Sequence, residues 1–242
     1  MKKGFTLAEV LITLGIIGVV AALAAPALNN SAQKAKVGPA LSKFISTLEN
    51  AHQHITADNE ADSLSSVTDN SVDTYMTELA KYVKGIKEDK ALGKFIPAPS
   101  NFQGKQDDGS PLKEEGGADL SVFTFADGSA MAVMMYTRGS QLKGGTYLGN
   151  VASVWFDING FDKKPNRAGK DEFRFYIDDS GSVYPDGGKT KVRLWEMATG
   201  TKNTLTWDTG NYRSLCNKNT VTTGVYCGAS VVDNGFKVIY KY

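Results

Sequence analysis

The chain has 242 residues, of which 41% are hydrophobic and 22% are charged, and this composition is typical of a globular protein. Lys and Arg together number 27 and Asp and Glu number 26, so the formal net charge is only +1. With this balance, the net charge does not attract the protein to nucleic acid or to an anionic membrane surface. Nucleic acid is therefore not indicated as a partner.

The apolar residues are concentrated near the N-terminus, where Thr13 is the only polar side chain between Val10 and Leu28. About twenty apolar residues form a helix of about 30 Å, which is long enough to cross the hydrocarbon core of a bilayer. Lys2 and Lys3 precede this segment, and the positive-inside rule holds that end in the cytoplasm. We therefore expect one membrane-spanning helix, with the rest of the chain on the other side of the membrane.

A secretory signal peptide is the main alternative, with cleavage near Ala24, Ala25 and Pro26. Glu9 argues against it, because a lone carboxylate at membrane depth costs about 2.5 kcal/mol or more and requires compensation. The helical pattern also continues past the apolar run, with apolar residues mostly three or four positions apart. These residues are Val37, Leu41, Phe44, Ile45, Leu48 and Ile55. The pattern favours a membrane helix that continues into the exported part of the protein.

The segment from Gly4 to Leu14 reads GFTLAEVLITL. It resembles the processing and assembly motif of type IV prepilins and of the related pseudopilins of type II secretion and DNA-uptake machines. In that family a dedicated peptidase removes a short basic leader after Gly, and the new terminal Phe is N-methylated. The resemblance implies cleavage between Gly4 and Phe5 and methylation of Phe5, and it places Glu9 at the family's characteristic glutamate. Ala8 departs from the larger aliphatic residue common at its position.

Glu9 and Pro26 have physical properties that agree with this resemblance. A carboxylate held in lipid must pair or be neutralised, and the amine of Phe5 on a neighbouring subunit offers a positive partner. Pro26 matches a helix-breaking position of many pilins, because proline removes one backbone hydrogen bond. The resemblance implies an inner-membrane precursor that polymerises with copies of itself or other pilins. Its further partners would be the prepilin peptidase and methylase, the inner-membrane assembly machinery, and lipid before assembly.

The sequence predicts an α+β fold, in which a long N-terminal helix packs on a mostly antiparallel β-sheet, as in pilins. We expect a leader at residues 1–4, a membrane helix at 5–28, its amphipathic continuation at 29–56 and a globular domain at 57–242. A second helix is predicted from Ser71 to Ile86, followed by a polar loop at 101–117.

Strands are predicted from the alternation of apolar and polar residues and from their β-branched and aromatic content. Asp127 and Gly128 form a hairpin turn signal between the first two strands. The predicted strands are Leu120 to Phe125, Ala130 to Tyr136, Val151 to Ile158, Phe173 to Ile177, Lys191 to Trp195 and Phe236 to Tyr240.

Cys216 and Cys227 are the only two cysteines of the chain, and they lie close together in a segment rich in Asn, Thr and Gly. A structural zinc ion needs four ligands, and no His lies near these cysteines in sequence. In an exported domain, a disulfide is the simplest interpretation, and it would contribute about 2 to 3 kcal/mol by restricting the unfolded chain. Two reduced, unrelated thiols are the alternative.

The segment from Asp157 to Asn166 is rich in Asp, Asn and Gly, and Asp157, Asn159 and Asp162 are weak candidates for calcium ligands. The EF-hand pattern fails, because Gly160 comes too early and Ala168 stands where the terminal Glu should be. A turn in which Asx side chains bind their own backbone is the interpretation we favour. The prediction is therefore no cofactor, with calcium as the alternative.

No catalytic motif is found in the sequence, and we predict that the protein is not an enzyme. His52 and His54 are two residues apart on a predicted helix, so they point to different faces and are expected to be solvated. The main hypothesis is a pilus subunit, and a secretion or DNA-uptake pseudopilin is the alternative within the same family. A membrane-anchored exported protein that binds glycan or peptide is the hypothesis from a different class.

Overall fold

The computed structural model describes residues 4, 6–69, 71–88, 121–136, 151–163, 168–185, 216 and 227–240. The predicted methylation position Phe5, the predicted loop at 101–117 and the predicted strand at 191–195 lie outside these residues.

One long helix, α1 (Leu7–Asp58), contains both the apolar segment and the amphipathic segment that follows it. Within it, Leu7–Ala24 is the one window of the described residues that is long and apolar enough to cross a membrane. This window has 18 residues and a mean hydropathy of 2.4, and none of it is buried against the rest of the protein. The helix continues through position 26 without a break. The predicted membrane helix and its predicted amphipathic continuation thus form one continuous α-helix.

Two shorter helices follow α1 and are α2 (Leu64–Thr68) and α3 (Val72–Tyr82). The α3 helix confirms the second predicted helix, although it ends before Ile86. Gly85 adopts φ of +78°, and a Cβ there would lie 2.9 Å from the Ala126 Cβ, so the chain turns sharply at this glycine. The α2 helix was not predicted, because five residues are too few to show helical periodicity.

The described strands form one six-stranded antiparallel sheet, in which each strand pairs with the next along the chain. They are β1 (Lys87–Glu88), β2 (Ser121–Thr124), β3 (Ala130–Tyr136), β4 (Val151–Asp157), β5 (Glu172–Ile177) and β6 (Val183–Pro185). The predicted hairpin is confirmed, since Asp127 and Gly128 lie in the turn between β2 and β3. The predicted α+β fold is therefore correct, while β1 and β6 were too short to predict.

The core lies between the second half of α1 and one face of the sheet. Phe44 on α1 stacks on Phe156 of β4 with ring centroids 4.1 Å apart, and its centroid lies 5.2 Å from that of Phe175 on β5. The apolar residues of the predicted α1 stripe are confirmed in this core. Those that are buried are Val37, Leu41, Phe44, Leu48 and Ile55, and Ile45 packs against them.

The predicted strand from Phe236 to Tyr240 is wrong. A short helix, α4 (Cys227–Asp233), precedes this segment, and the chain turns after it, where Gly235 and Phe236 adopt φ of +65° and +60°. The segment then lies along α1, where the Lys34 ammonium donates to the Tyr240 carbonyl oxygen at 2.6 Å. Alternate residues are half-buried or buried as in a strand, but the contacts are made with a helix and not with a β-ladder.

Candidate functional site

The first turn of α1 is closed by a reciprocal pair of contacts between Thr6 and Glu9. The Glu9 Oε2 accepts hydrogen bonds from the Thr6 backbone N–H at 2.8 Å and from the Thr6 hydroxyl at 2.9 Å. The Glu9 N–H in turn donates to the Thr6 Oγ1 at 3.3 Å. This is a capping box, which satisfies two otherwise unpaired groups at a helix start.

The capping box provides the Glu9 carboxylate with hydrogen-bond donors before any assembly. Thr6 already supplies two donors to Glu9 within the same subunit, and both would remain after cleavage at Gly4. The Thr-x-x-Glu spacing was present in the sequence and could have revealed this contact. A cationic partner from a neighbouring subunit would therefore add to an existing set of hydrogen bonds.

The apolar half of α1 presents large hydrophobic side chains on all sides. Leu7 is 79% exposed and Leu23 is 76% exposed, and their apolar neighbours along the helix are also exposed. At Gly15 and Gly18 an added Cβ would find no other atom within 4 Å, so these positions are open to close approach by another helix. A surface of this kind requires lipid or other apolar helices to cover it.

A second notable group is formed by buried acidic residues at one end of β4 and β5. Asp157, Asp171 and Glu172 are only 0%, 3% and 1% exposed, respectively. Asp157 and Glu172 are direct partners across the two antiparallel strands, which places their side chains on the same face of the sheet. Burial raises the pKa of Asp157 to about 7 and that of Glu172 to about 8, and repulsion among the three carboxylates contributes to both shifts.

Asp157 also forms the turn that the sequence predicted. Its Oδ1 accepts the backbone N–H groups of Asn159 and Gly160, each at 2.8 Å. The Asn159 amide donates to the Lys163 carbonyl at 3.1 Å, and Asp162 is exposed. The three calcium candidates thus differ widely in their surroundings. Within the described ranges no group of three or more His, Cys, Asp or Glu side chains is arranged to hold a metal ion.

Three carboxylate oxygens in this group are buried and accept no hydrogen bond: Asp157 Oδ2 and both Glu172 Oε atoms. Glu172 was not among the residues predicted from sequence. It follows Asp157 by fifteen positions, and only the strand register brings the two together.

The expectation that both histidines are solvated is wrong for His52, which is only 1% exposed. Its Nδ1 lies 2.6 Å from the Gly181 carbonyl oxygen and its Nε2 lies 2.8 Å from the Tyr75 hydroxyl. Burial lowers the pKa of His52 to about 4, although the Gly181 hydrogen bond and nearby Asp178 act in the opposite direction. His54 is exposed and stacks on Tyr82, so the two histidines do point to different faces.

Comparison with known families covers almost the whole chain. Residues 1–25 match the prokaryotic N-terminal methylation motif, and residues 27–242 match a family of unknown function, DUF6613. The chain belongs to the DUF6613 family. No curated protein and no solved structure matches it.

This DUF6613 protein therefore carries the N-terminus of a type IV prepilin or pseudopilin on a domain of unassigned role. The motif and the exposed apolar helix together identify a membrane-anchored precursor. Gly4 lies just before α1, and Glu9 and Pro26 lie within it.

The predicted disulfide of the DUF6613 domain is present. Cys216 and Cys227 are bonded, with their Cα atoms 5.1 Å apart, and both residues are buried. Cys227 is the first residue of α4, and α4 packs against α1, β5 and β6. The disulfide thus ties residue 216 to a helix that is itself part of the core.

Proposed function

We propose that this protein is a structural, non-enzymatic subunit of a type IV pilus-like filament. The precursor is inserted in the inner membrane, cleaved after Gly4, methylated at Phe5, and polymerised through α1. The single observation that carries this proposal is that the fully exposed apolar half of α1, which begins with the methylation motif, is continuous with the half that holds the sheet.

The length of α1 suits this role. Its 52 residues span about 80 Å at 1.5 Å per residue, so the apolar half projects about 40 Å beyond the sheet-bound half. In the membrane, lipid covers this projection, and in a filament the same surface packs against the α1 helices of neighbouring subunits. The sheet domains then lie outside the helical core.

The N-terminal charges support assembly with defined axial register. Both Thr6 donors use the Oε2 of Glu9, which leaves Oε1 open to a cation. The new N-terminal amine at Phe5 of an adjacent subunit can provide this cation, because the α1 helices of both subunits start at the same depth in the membrane. Pro26 marks the place where α1 can bend as subunits pack, since proline donates no backbone hydrogen bond.

The topology follows from the same features. Lys2 and Lys3 keep the leader in the cytoplasm, where the prepilin peptidase and methylase act, and the DUF6613 domain faces the periplasm. The disulfide agrees with this location, because an oxidising compartment maintains such bonds. The other partners are the inner-membrane assembly machinery and further copies of this or other pilins.

Mass spectrometry of the mature protein tests the proposal directly. A mature chain that begins at Phe5 and carries one added methyl group is the expected result. A chain that begins near Pro26 or later would show secretion by an ordinary signal peptide, and a chain that retains Met1 would show a permanent membrane anchor. Either outcome would contradict filament assembly and favour an exported binding protein.

The methylation motif is shared with pseudopilins, and a secretion or DNA-uptake filament is the second candidate. Deletion of the gene distinguishes the two. Loss of sheared surface filaments is expected for a pilus subunit, whereas intact surface filaments with loss of protein export or DNA uptake would assign the protein to a pseudopilus.

A further inference from the structure

The buried acidic pair at the end of β4 and β5 forms no ion pair with the described residues, and three of its carboxylate oxygens accept no hydrogen bond. Asp157 is the last residue of β4 and Glu172 is the first of β5, and the two face each other across the ladder. Directly opposed residues in an antiparallel pair have Cβ atoms about 5 Å apart, so the two carboxyl groups share one small volume. Both residues are at most 1% exposed, so bulk water does not solvate them.

The hydrogen bonds of this pair are incomplete in a specific way. Asp157 Oδ1 is held by the N–H groups of Asn159 and Gly160, whereas Oδ2 and both oxygens of Glu172 accept none. A buried carboxylate without a partner costs several kcal/mol, and a second carboxylate beside it increases the cost. An ion bound by these three oxygens would remove both penalties.

The surrounding charges also favour a cation. Asp171 is buried next to Glu172, and both Asp171 and Asp162 add negative potential at Asp157.

The donor set indicates the class of ion. The open groups are carboxylate oxygens, which are hard ligands that suit Ca²⁺ and Mg²⁺ and do not select zinc or copper. The two N–H groups that donate to Asp157 Oδ1 fix the orientation of the carboxylate. The position of Oδ2 is therefore fixed as well, although Oδ2 itself accepts no hydrogen bond. Two carboxylates suffice for such ions when carbonyl oxygens and water complete the coordination.

We propose that Asp157 and Glu172 bind a hard divalent cation of the Ca²⁺ type and thereby join the end of β4 to the start of β5. Of the three ligands considered from sequence, the proposal uses Asp157, and it adds Glu172 as the second ligand. This proposal does not depend on filament assembly, because the site lies entirely within one DUF6613 domain.

Thermal unfolding of the full chain in detergent tests the site. Protein treated with EDTA and dialysed is compared with the same protein in Ca²⁺ or in Mg²⁺. A midpoint higher by about 5 °C or more is expected at an ion concentration a hundredfold above Kd. Equilibrium dialysis with ⁴⁵Ca²⁺ provides the binding constant and the stoichiometry, which we expect to be one ion per chain.

The matched variants are Glu172→Gln and Asp62→Asn. Each removes one negative charge, but Asp62 is exposed and lies outside the acidic group. Glu172→Gln should weaken binding at least tenfold and reduce the thermal response to about half of the wild-type value or less. Its metal-free form should be at least as stable as metal-free wild type, since a buried charge has been removed. Asp62→Asn should respond as wild type does.

Three results would overturn the proposal. They are a wild-type midpoint unchanged by either ion together with no measurable binding, an unchanged response in Glu172→Gln, and a lost response in Asp62→Asn. The first would show that the pair is accommodated in the fold without a bound divalent cation. If Glu172→Gln does not fold, Asp157→Asn takes its place, because an Asn side chain retains the Oδ1 acceptor of the turn and loses the charge.

Discussion

His52 on α1 and Tyr75 on α3 are joined by a buried hydrogen bond, with His52 Nε2 2.8 Å from the Tyr75 hydroxyl. The other ring nitrogen of His52 faces a carbonyl oxygen, that of Gly181 between β5 and β6, so Nδ1 carries the proton. In the neutral ring, Nε2 then accepts from Tyr75. His52 thus links α1 to α3 through Tyr75 and to the turn between β5 and β6 through Gly181.

The first prediction concerns the pH dependence of stability. The pKa of His52 is about 4 in the folded protein and 6.5 for the free side chain, so between these values only the unfolded chain binds the proton. The free energy of unfolding should therefore fall as pH decreases from about 6.5 to about 4, by roughly 3 kcal/mol. Urea unfolding of His52→Gln should show a shallower pH dependence over this range than wild type.

His54→Gln is the matched control for this experiment, because His54 is exposed on the same helix. It should retain the wild-type pH profile. Parallel profiles for wild type and His52→Gln would show that a group other than the buried imidazole controls stability in this range.

The second prediction concerns the packing of the C-terminal segment on α1. A Cβ at Gly38 would overlap the Phe236 carbonyl oxygen, so Gly38→Ala must displace the segment that begins there. We expect a loss of about 1 to 3 kcal/mol in the free energy of unfolding. Rapid proteolysis near residues 234–240 should accompany it.

Gly18→Ala is the control for Gly38→Ala, because it makes the same substitution in the same helix where a Cβ meets no atom within 4 Å. It should leave the sheet domain as stable as in wild type. If Gly38→Ala has no larger effect than Gly18→Ala, the close approach of the two backbones is not important for stability.

The third prediction concerns the disulfide. Cys216→Ser should lower the free energy of unfolding by about 2 to 3 kcal/mol, because the unfolded chain is no longer closed across the 11-residue separation. The C-terminal region should become protease-sensitive, while leader processing at Gly4 stays normal. Non-reducing mass analysis of exported wild-type protein provides the control, and two free thiols there would refute the pairing.

The fourth prediction separates the two roles of Glu9. Glu9→Gln retains a capping group for the Thr6 N–H but removes the charge, whereas Thr6→Val removes the hydroxyl donor and keeps the charge. If Glu9 pairs with the Phe5 amine of a neighbour, Glu9→Gln should abolish or strongly reduce filaments while inserting normally in the membrane. Thr6→Val should assemble.

The fraction of subunit in sheared filaments, compared with the fraction in membranes, measures this effect. Mass analysis of each variant confirms that the leader is removed. Normal filaments from Glu9→Gln would refute the charge pairing and leave the helix cap as the role of Glu9.

Most of the fold could be predicted from local patterns. The three- and four-residue steps of α1 and the Asp127–Gly128 turn depend on neighbours along the chain, and the structure confirms both. His52 is instructive, because it lies four residues after Leu48 and three before Ile55, on the buried stripe itself. The sequence therefore contained a signal for its burial, but its partner Tyr75 depends on how α3 packs.

Other features had no local signal. The residues 236–240 alternate as in a strand, yet they lie on α1, because the small surface of Gly38 allows the backbone to approach there. Similarly, Glu172 pairs with Asp157 only through the register of β4 and β5. Contacts between residues distant in sequence depend on the packing of whole elements, and no periodicity within one element specifies them.

The sequence by itself determined the anchor of this protein, namely the Gly4–Phe5 motif, Glu9 and an apolar helix long enough to span a bilayer. In the proposed function a peptidase and lipid recognise these features, and both recognise a local segment. The tertiary structure alone decided which polar groups become buried together, since only folding brings Glu172 to Asp157 and closes Tyr75 over His52. Burial removes water from these groups. They therefore require hydrogen bonds or a counter-ion in the folded protein, whereas water solvates them in the unfolded chain.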